Sequence, residues 1–361
     1  MSGPHPARFA DLLTGYCLEV TEGKQVLVRS TTLAAPLLLE LQRAILARGG
    51  WPLLRIELPG ETEAFFAHAR EGHLDGFPAV ALAEAEGVDA SLRVVAPENT
   101  RSLAGVDPAR MARAARARQP IREAALSRRW SLTLWPTAAS AQEAGMSLAD
   151  FEAFVNRALY LDRADPAQAW QELRATQERL IERLRDAREL RIEAEGTDLR
   201  LRVEGRTWVN SDGRRNMPSG EVFTSPLEGS ANGTIRYTVP SSPAGVEVSG
   251  IALTFRAGEV VHAQAERGGE YLERTLATDR GARRLGEIGI GTNTGIDRPV
   301  GNILFDEKMG GTVHLAVGRS YPEAGGVNES AVHWDMICDL REGGRLTADG
   351  ETIVDCGRLA D

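Results

Sequence analysis

The spacing of apolar residues changes character at about Glu189, and that change limits the chain to two kinds of architecture in one polypeptide. Residues 1–188 alternate helical and strand periodicities. Residues 6–16 place Phe9, Leu12, Leu13 and Tyr16 at helical spacing, and KQVLVR (24–29) reads as a short strand. A helix over 34–48 stops at Gly49-Gly50, as helices do at residues free to turn left-handed. Strands over 53–58, 91–96 and 130–135 are separated by helices over 61–70 and from Pro108 onward, the latter behind the capping residue Asp107. Ser147-Leu148-Ala149-Asp150 resembles a capping box at the start of another helix, and 167–188 is a long charged helix. Alternation of this kind implies a mainly parallel sheet with helices packed on it.

From Glu189 the chain is rich in β-branched residues and glycine. LRIEAEGTDLRLRVEG holds two alternating strands around Gly196-Thr197, and IRYTVP, VEVSGIALTFRAGEVVHAQA and EIGIG continue in the same style; only 269–277 reads as helix. The expected fold is an α/β N-terminal domain with a mainly parallel sheet (1–188) plus a strand-rich α+β C-terminal domain (189–361), with helix 167–188 as the connector. A chain of 361 residues suffices for two such domains.

The formal charge of −9 argues against a nucleic-acid groove as the main business. Cys17, Cys338 and Cys356 form no C-x-x-C, so neither a zinc ribbon nor a disulfide framework is expected. MSGPHPARFADLL lacks a basic region followed by an apolar core, and no apolar run reaches the roughly 18 residues of a membrane span, so the expected location is the cytoplasm.

Chemistry concentrates in LFDEKMGGTVHLAVGRSYPEAGGVNESAVHWD (304–335). It holds His314 and His333, with Asp306, Glu307 and Asp335 as the carboxylates expected to join them. Imidazole and carboxylate are the ligands that zinc, cobalt or manganese accept. In His333-Trp334-Asp335 the outer two side chains leave the same face if the segment is a strand. Glu221 in NMPSGEVFTSP and Glu287 in LGEIGIGTN lie beside glycines, which let backbone and ligand approach closely. Singly, a glutamate beside glycine is an ordinary turn residue and a lone histidine is ordinarily structural. Together they make the inventory of a two-metal site, two imidazoles and at least three carboxylates. No H-E-x-x-H motif is present to fix the ligands by spacing.

The blocks GRRNMPSGEVFTSP, ERGGEYL, LGEIGIGTN, FDEKMGGTVHLAVGRSYPE and NESAVHWDMI resemble the M29 family of metallo-aminopeptidases. LAGVDPARMA, LWPTAASAQEAGMSLADFEAFV and LDRADPAQAW extend the resemblance over nearly the whole chain. It implies a two-domain enzyme that removes N-terminal residues from peptides with a free N-terminus. It also implies two divalent metal ions (zinc, cobalt, manganese or magnesium) and a homodimer in which the N-terminal domains restrict access. Matched motif by motif, the implied metal ligands are Glu221, Glu287, His314, His333 and Asp335, with Tyr321 and Glu307 close to the metals. Glu287 is the choice for a bridging carboxylate. Glu307 is read as a further ligand or as a general base, and Tyr321 as an oxyanion donor or a packed ring. A metal-dependent amidase of non-peptide substrates, or a catalytically silent member of the fold, are the alternatives.

Overall fold

The computed structural model describes residues 3–360. They form two compact units: one runs to Ala167 and adds Gly213–Met217, and the other holds Gln168–Asp212 and continues from Pro218.

In the first unit five strands line up in the order Trp51–Glu57, Gln25–Thr31, Ala90–Val95, Arg129–Leu134 and Asn216–Met217, and every neighbouring pair is parallel. Val26, Leu27 and Val28 are consecutively buried on the second of these, as a strand covered on both faces requires. Helix Ala35–Ala47 buries Leu37, Leu38, Leu41, Ala44 and Ile45, one stripe at helical spacing, and Gly49 just beyond its end has φ 76°. The two expected caps form: Asp107 Oδ1 accepts from Ala109 N at 2.9 Å, and Ser147 Oγ accepts from Asp150 N at 3.1 Å. The helix expected over 6–16 divides into an α segment, Pro6–Asp11, and a wider π turn, Leu12–Cys17. The wider turn brings Thr14 and Cys17 inward beside Leu12, Leu13 and Tyr16.

Helix Pro166–Leu184, read from sequence as a connector, belongs from Gln168 onward to the second unit, where Leu180 and Leu184 join the core. Two antiparallel sheets complete that unit. The larger runs Glu259–Gln264, Ala252–Arg256, Asn232–Arg236, Thr197–Arg202, Glu189–Ala194, Arg345–Ala348, Glu351–Asp355 and Arg358–Leu359. The smaller runs His333–Asp339, Thr312–Gly318, Leu285–Gly291, Glu221–Thr224 and Val209–Ser211.

Alternation decides what each face of the smaller sheet does. Val222, Ile288, Ile290, Val313, Leu315, Val317, Trp334, Met336 and Cys338 form one face and enter a shared core with Leu190, Ile192, Leu199, Leu201 and Leu253 of the larger sheet. Fully burying one such side chain stabilises by about 1.5–3 kcal/mol. The intervening residues must therefore point the other way.

Candidate active site

The residues on that other face are Glu221, Glu287, Gly289, Gly291, His314, Ala316, Gly318, His333 and Asp335. The register lines them up: Asp335 pairs with Ala316 and Ala316 with Glu287, while His314 pairs with Gly289 and Glu221 with Gly291. Four strands thus deliver five ionisable side chains to one patch. The His-x-Asp pair of 333 and 335 leaves one face of a strand, as its spacing predicts.

Two glycines make this possible. Between Leu285 and Glu287 the register slips, so that Leu285 opposes Val317 on the core face and Glu287 opposes Ala316 on the site face. Gly286 sits at the slip, where a Cβ would lie 2.4 Å from the Arg319 carbonyl oxygen. At Gly289 a Cβ would lie 2.1 Å from Cε1 and 2.2 Å from Nε2 of His314, so the imidazole lies across a position that only glycine leaves open.

Glu287 reaches both imidazoles, with Oε1 at 3.6 Å from His314 Nε2 and Oε2 at 3.4 Å from His333 Nε2. His314 Nε2 is also 3.4 Å from Glu221 Oε2, and His333 Nε2 is 3.3 Å from Asp335 Oδ2. His333 donates from Nδ1 to the Arg319 carbonyl at 2.8 Å, which leaves Nε2 to face the carboxylates. Donor atoms of Glu287, His333 and Asp335 lie within 4.8 Å of one another, as do those of Glu307, His314 and Asp335. Asp335 is common to both groups.

Tyr321 places its hydroxyl 3.3 Å from His333 Nε2, with its ring against Phe223 and His333. Glu307 follows the short helix Ile303–Asp306 and contacts Lys308 Nζ through Oε1. Asp306 does not join the group: its Oδ1 accepts from Val300 N at 2.7 Å, closing the loop before the short helix. Burial pushes the Asp306 carboxyl up to about 7, against the opposing pull of backbone hydrogen bonds from residues 300–302. His262 lies on the edge strand Glu259–Gln264, outside both donor groups.

Sequence reasoning passed over Lys308. It is fully buried, with Nζ 2.8 Å from Glu221 Oε1. The available signal is charge balance, because four carboxylates that are buried or half-buried together call for cations.

Burial lowers the basicity of both imidazoles, and the surrounding carboxylates more than reverse it. His314 is raised to about 9, chiefly by Glu287 and Glu221, and His333 to about 11, chiefly by Asp335 and Glu287. Burial would raise Asp335, yet the His333 imidazolium holds it below the ordinary carboxylate range. Burial pushes Glu307 up to about 8, with Lys308 opposing and Glu221 and Asp335 assisting. Burial also raises Tyr321, reinforced by the carboxylates, so its hydroxyl stays a donor at neutral pH.

The residues fit a divalent cation. Glu221 Oε2, Asp335 Oδ1 and both nitrogens of His314 are buried without a hydrogen-bond partner. Unpartnered polar atoms of this kind are costly in a dry interior, and Glu221 Oε2 and His314 Nε2, 3.4 Å apart among further carboxylates, make a metal-donor set.

Comparison with known proteins agrees. The family described as thermophilic metalloprotease (M29) matches residues 5–356. Aminopeptidase 2 of Geobacillus stearothermophilus is 33% identical over 397 aligned positions, covering 95% of this chain and 94% of that protein. Aminopeptidase T of Thermus thermophilus is 31% identical, over 76% of this chain and 78% of its own. Among solved structures, wild-type AmpT from Thermus thermophilus superposes with a TM-score of 0.86 at 25% identity, covering 99% of both chains. A 2,5-dihydroxypyridine dioxygenase from Pseudomonas putida KT2440, at 15% identity and a TM-score of 0.58 over 98% and 96% of the two chains, shares the fold alone. The fold therefore does not fix the chemistry, and the site must.

Proposed function

The chain belongs to the M29 thermophilic metalloprotease family, and from that premise we propose that it is an aminopeptidase that cleaves the N-terminal peptide bond of peptides with a pair of divalent metal ions. The observation that carries the proposal is the convergence of Glu221, Glu287, His314, His333 and Asp335, in which Glu287 faces both imidazoles and Asp335 belongs to both donor groups. Aminopeptidases at 33% and 31% identity support the choice of substrate.

Bound metal ions would supply Lewis acidity, polarising the scissile carbonyl and strengthening water as a nucleophile. Glu221, Glu287, His314, His333 and Asp335 would hold them, since Glu287 presents one oxygen to each histidine's side. Glu307, which shares a donor group with His314 and Asp335, is placed to take a proton from the attacking water and return it to the departing amine nitrogen. Tyr321 keeps its proton and donates toward the oxygen that becomes negative as the carbonyl carbon turns tetrahedral.

Removal of metal by chelation is expected to abolish hydrolysis of aminoacyl-anilides, and added zinc, cobalt, manganese or magnesium to restore it to different degrees; full activity in the stripped protein would sink the proposal. The pH dependence of metal binding has a definite sign. In the metal-free site His314 and His333 titrate at about 9 and 11, so at neutral pH each holds a proton that a metal must displace. Affinity should fall as pH falls, with at least the two imidazolium protons released per chain near pH 7. Calorimetric titration in buffers of different ionisation enthalpy counts those protons, and none released would contradict the assignment.

Blocked substrates test the direction of cleavage. A peptide with a free amine should turn over and its N-acetylated form should not. Ready hydrolysis of the acetylated peptide would favour the amidase reading, and no turnover of either by metal-loaded protein would favour the silent one.

Tyr321→Phe keeps the ring against Phe223 and His333 and removes only the hydroxyl. Loss of one donor to a developing oxyanion costs about 10²–10³ in kcat, with KM little changed. A loss under about threefold would mean that the ring only packs.

A further inference from the structure

Four carboxylates are gathered in this site, and one cation stands among them that the proposed chemistry does not use. Lys308 is 0% exposed, and its Nζ bridges Glu221 Oε1, at 2.8 Å, and Glu307 Oε1. We propose that Lys308 is a positioning residue for the metal pair: it takes Oε1 of Glu221 and so presents Oε2 as a single donor toward His314. The inference rests on the reading of Glu221 as a metal ligand.

Glu221 divides its two oxygens between different tasks. Oε1 is held by the ammonium. Oε2 is buried, has no hydrogen-bond partner and lies 3.4 Å from His314 Nε2. Turning the carboxylate so that both oxygens faced His314 would take one of two carboxylate partners from a fully buried ammonium and leave it Glu307 alone, and under-compensating a charge in a dry interior is penalised. Glu221 is therefore restricted to one oxygen.

The backbone around the ammonium is also pinned. Asn293 N donates to the Lys308 carbonyl at 3.0 Å, and Asn293 Nδ2 donates to the Ser219 carbonyl at 2.9 Å. Thr292 N donates to the Gly220 carbonyl at 2.8 Å. Residues 292 and 293 thus tie the turn that carries Lys308 to the residues that lead into Glu221. Glu307 is fixed through the same ammonium, so one side chain sets two carboxylates relative to each other.

A lysine that only balanced charge would behave in the opposite way. Removing a cation from beside two bound metal ions relieves repulsion, so metal should then bind more tightly. Removing a positioning residue should weaken binding, as loss of groups that orient metal ligands does by about 10–100-fold. The sign of the change separates the two.

The test is titration of Co(II) into the metal-stripped full-length protein, read by calorimetry and by the visible absorption of the bound ion, whose bands report its coordination. The wild type is expected to take two ions. Lys308→Met should bind one of them about 10–100-fold more weakly, with altered Co(II) bands. Lys308→Gln, which keeps a hydrogen-bond donor and loses the charge, should fall between Lys308→Met and the wild type. Equal or tighter binding with a wild-type spectrum in either variant overturns the proposal. If Lys308→Met does not fold, Lys308→Gln decides alone: weaker binding supports positioning, and equal or tighter binding overturns it. A wild type that takes fewer than two ions overturns the metal-pair reading itself, and the role of Lys308 with it.

Discussion

Glu287→Ala is expected to lower turnover by at least about 10³-fold and to reduce the metal content of the purified protein. A Lewis-acid metal is worth several kcal/mol at the transition state, and each 1.36 kcal/mol is tenfold in rate. Glu287 is the carboxylate whose two oxygens face the two histidines, at 3.6 Å and 3.4 Å, so its loss touches the surroundings of both imidazoles together. The fold should survive, because Ile288 and Ile290 on the opposite face carry that strand's packing. The same variant has a signature without metal. Glu287 helps to raise both imidazoles, so in the stripped variant both should titrate lower than about 9 and 11, which proton NMR measures directly. A raised imidazole stabilises the fold fully below its unfolded value of about 6.5, and the benefit is lost as pH rises through the folded values. The stripped variant should therefore lose more stability at pH 6 than at pH 11. Wild-type turnover and metal content in this variant would remove Glu287 from the site.

Gly289→Ala should have the next largest effect, though it adds a single carbon. That carbon would lie 2.1 Å from Cε1 of His314, on a ring held inside a strand and not at the free end of a flexible chain. The imidazole must move by about 1 Å or more, and displacements of that size in a catalytic group cost about 10²-fold in rate. The melting temperature should also fall, since forcing volume into a packed site costs about 1–3 kcal/mol. A second substitution isolates the cause. Gly289→Ala combined with His314→Ala removes the ring that clashes, so thermal stability should recover relative to Gly289→Ala while activity does not. If Gly289→Ala alone bound metal and turned over like the wild type, His314 could not lie where the structure places it.

Much of the architecture is legible in the sequence because it follows from local periodicity. The individual strands and helices of the first unit, the caps at Asp107 and Ser147 and the hairpin at Gly196 all rest on residues close to one another in the chain, and strand–helix alternation then implies the parallel pairing. What stayed hidden depends on distant pairing. The strand Asn216–Met217 has two residues and exists because Leu132 and Thr133 lie beside it. The slip at Gly286, which turns Glu287 to the site face, is a property of the ladder with Thr312–Gly318 and leaves no local mark. Asp306 and Glu307 are adjacent and chemically alike, yet one closes a loop and the other joins the site, because the chain turns between them. The seven site residues named from the family resemblance are gathered by the fold. Lys308 shows the limit of that route, since a cation holding carboxylates apart is not a donor and carries no motif of its own.

The two-sidedness of the smaller sheet bears on how such a protein changes over generations. Positions 287, 289, 314, 333 and 335 lie on the face of the candidate site, and positions 288, 290, 313, 315, 334 and 336 answer to cohesion with the larger sheet. A substitution that fits the space on one face leaves the packing of the other in place, so the two faces can change in part independently. The same layout makes the strands intolerant of length change. Inserting or deleting one residue within Thr312–Gly318 would exchange the two sets at a stroke. Lineages descended from such a chain should therefore diverge within these strands by replacement, and confine gains and losses of residues to the turns between them.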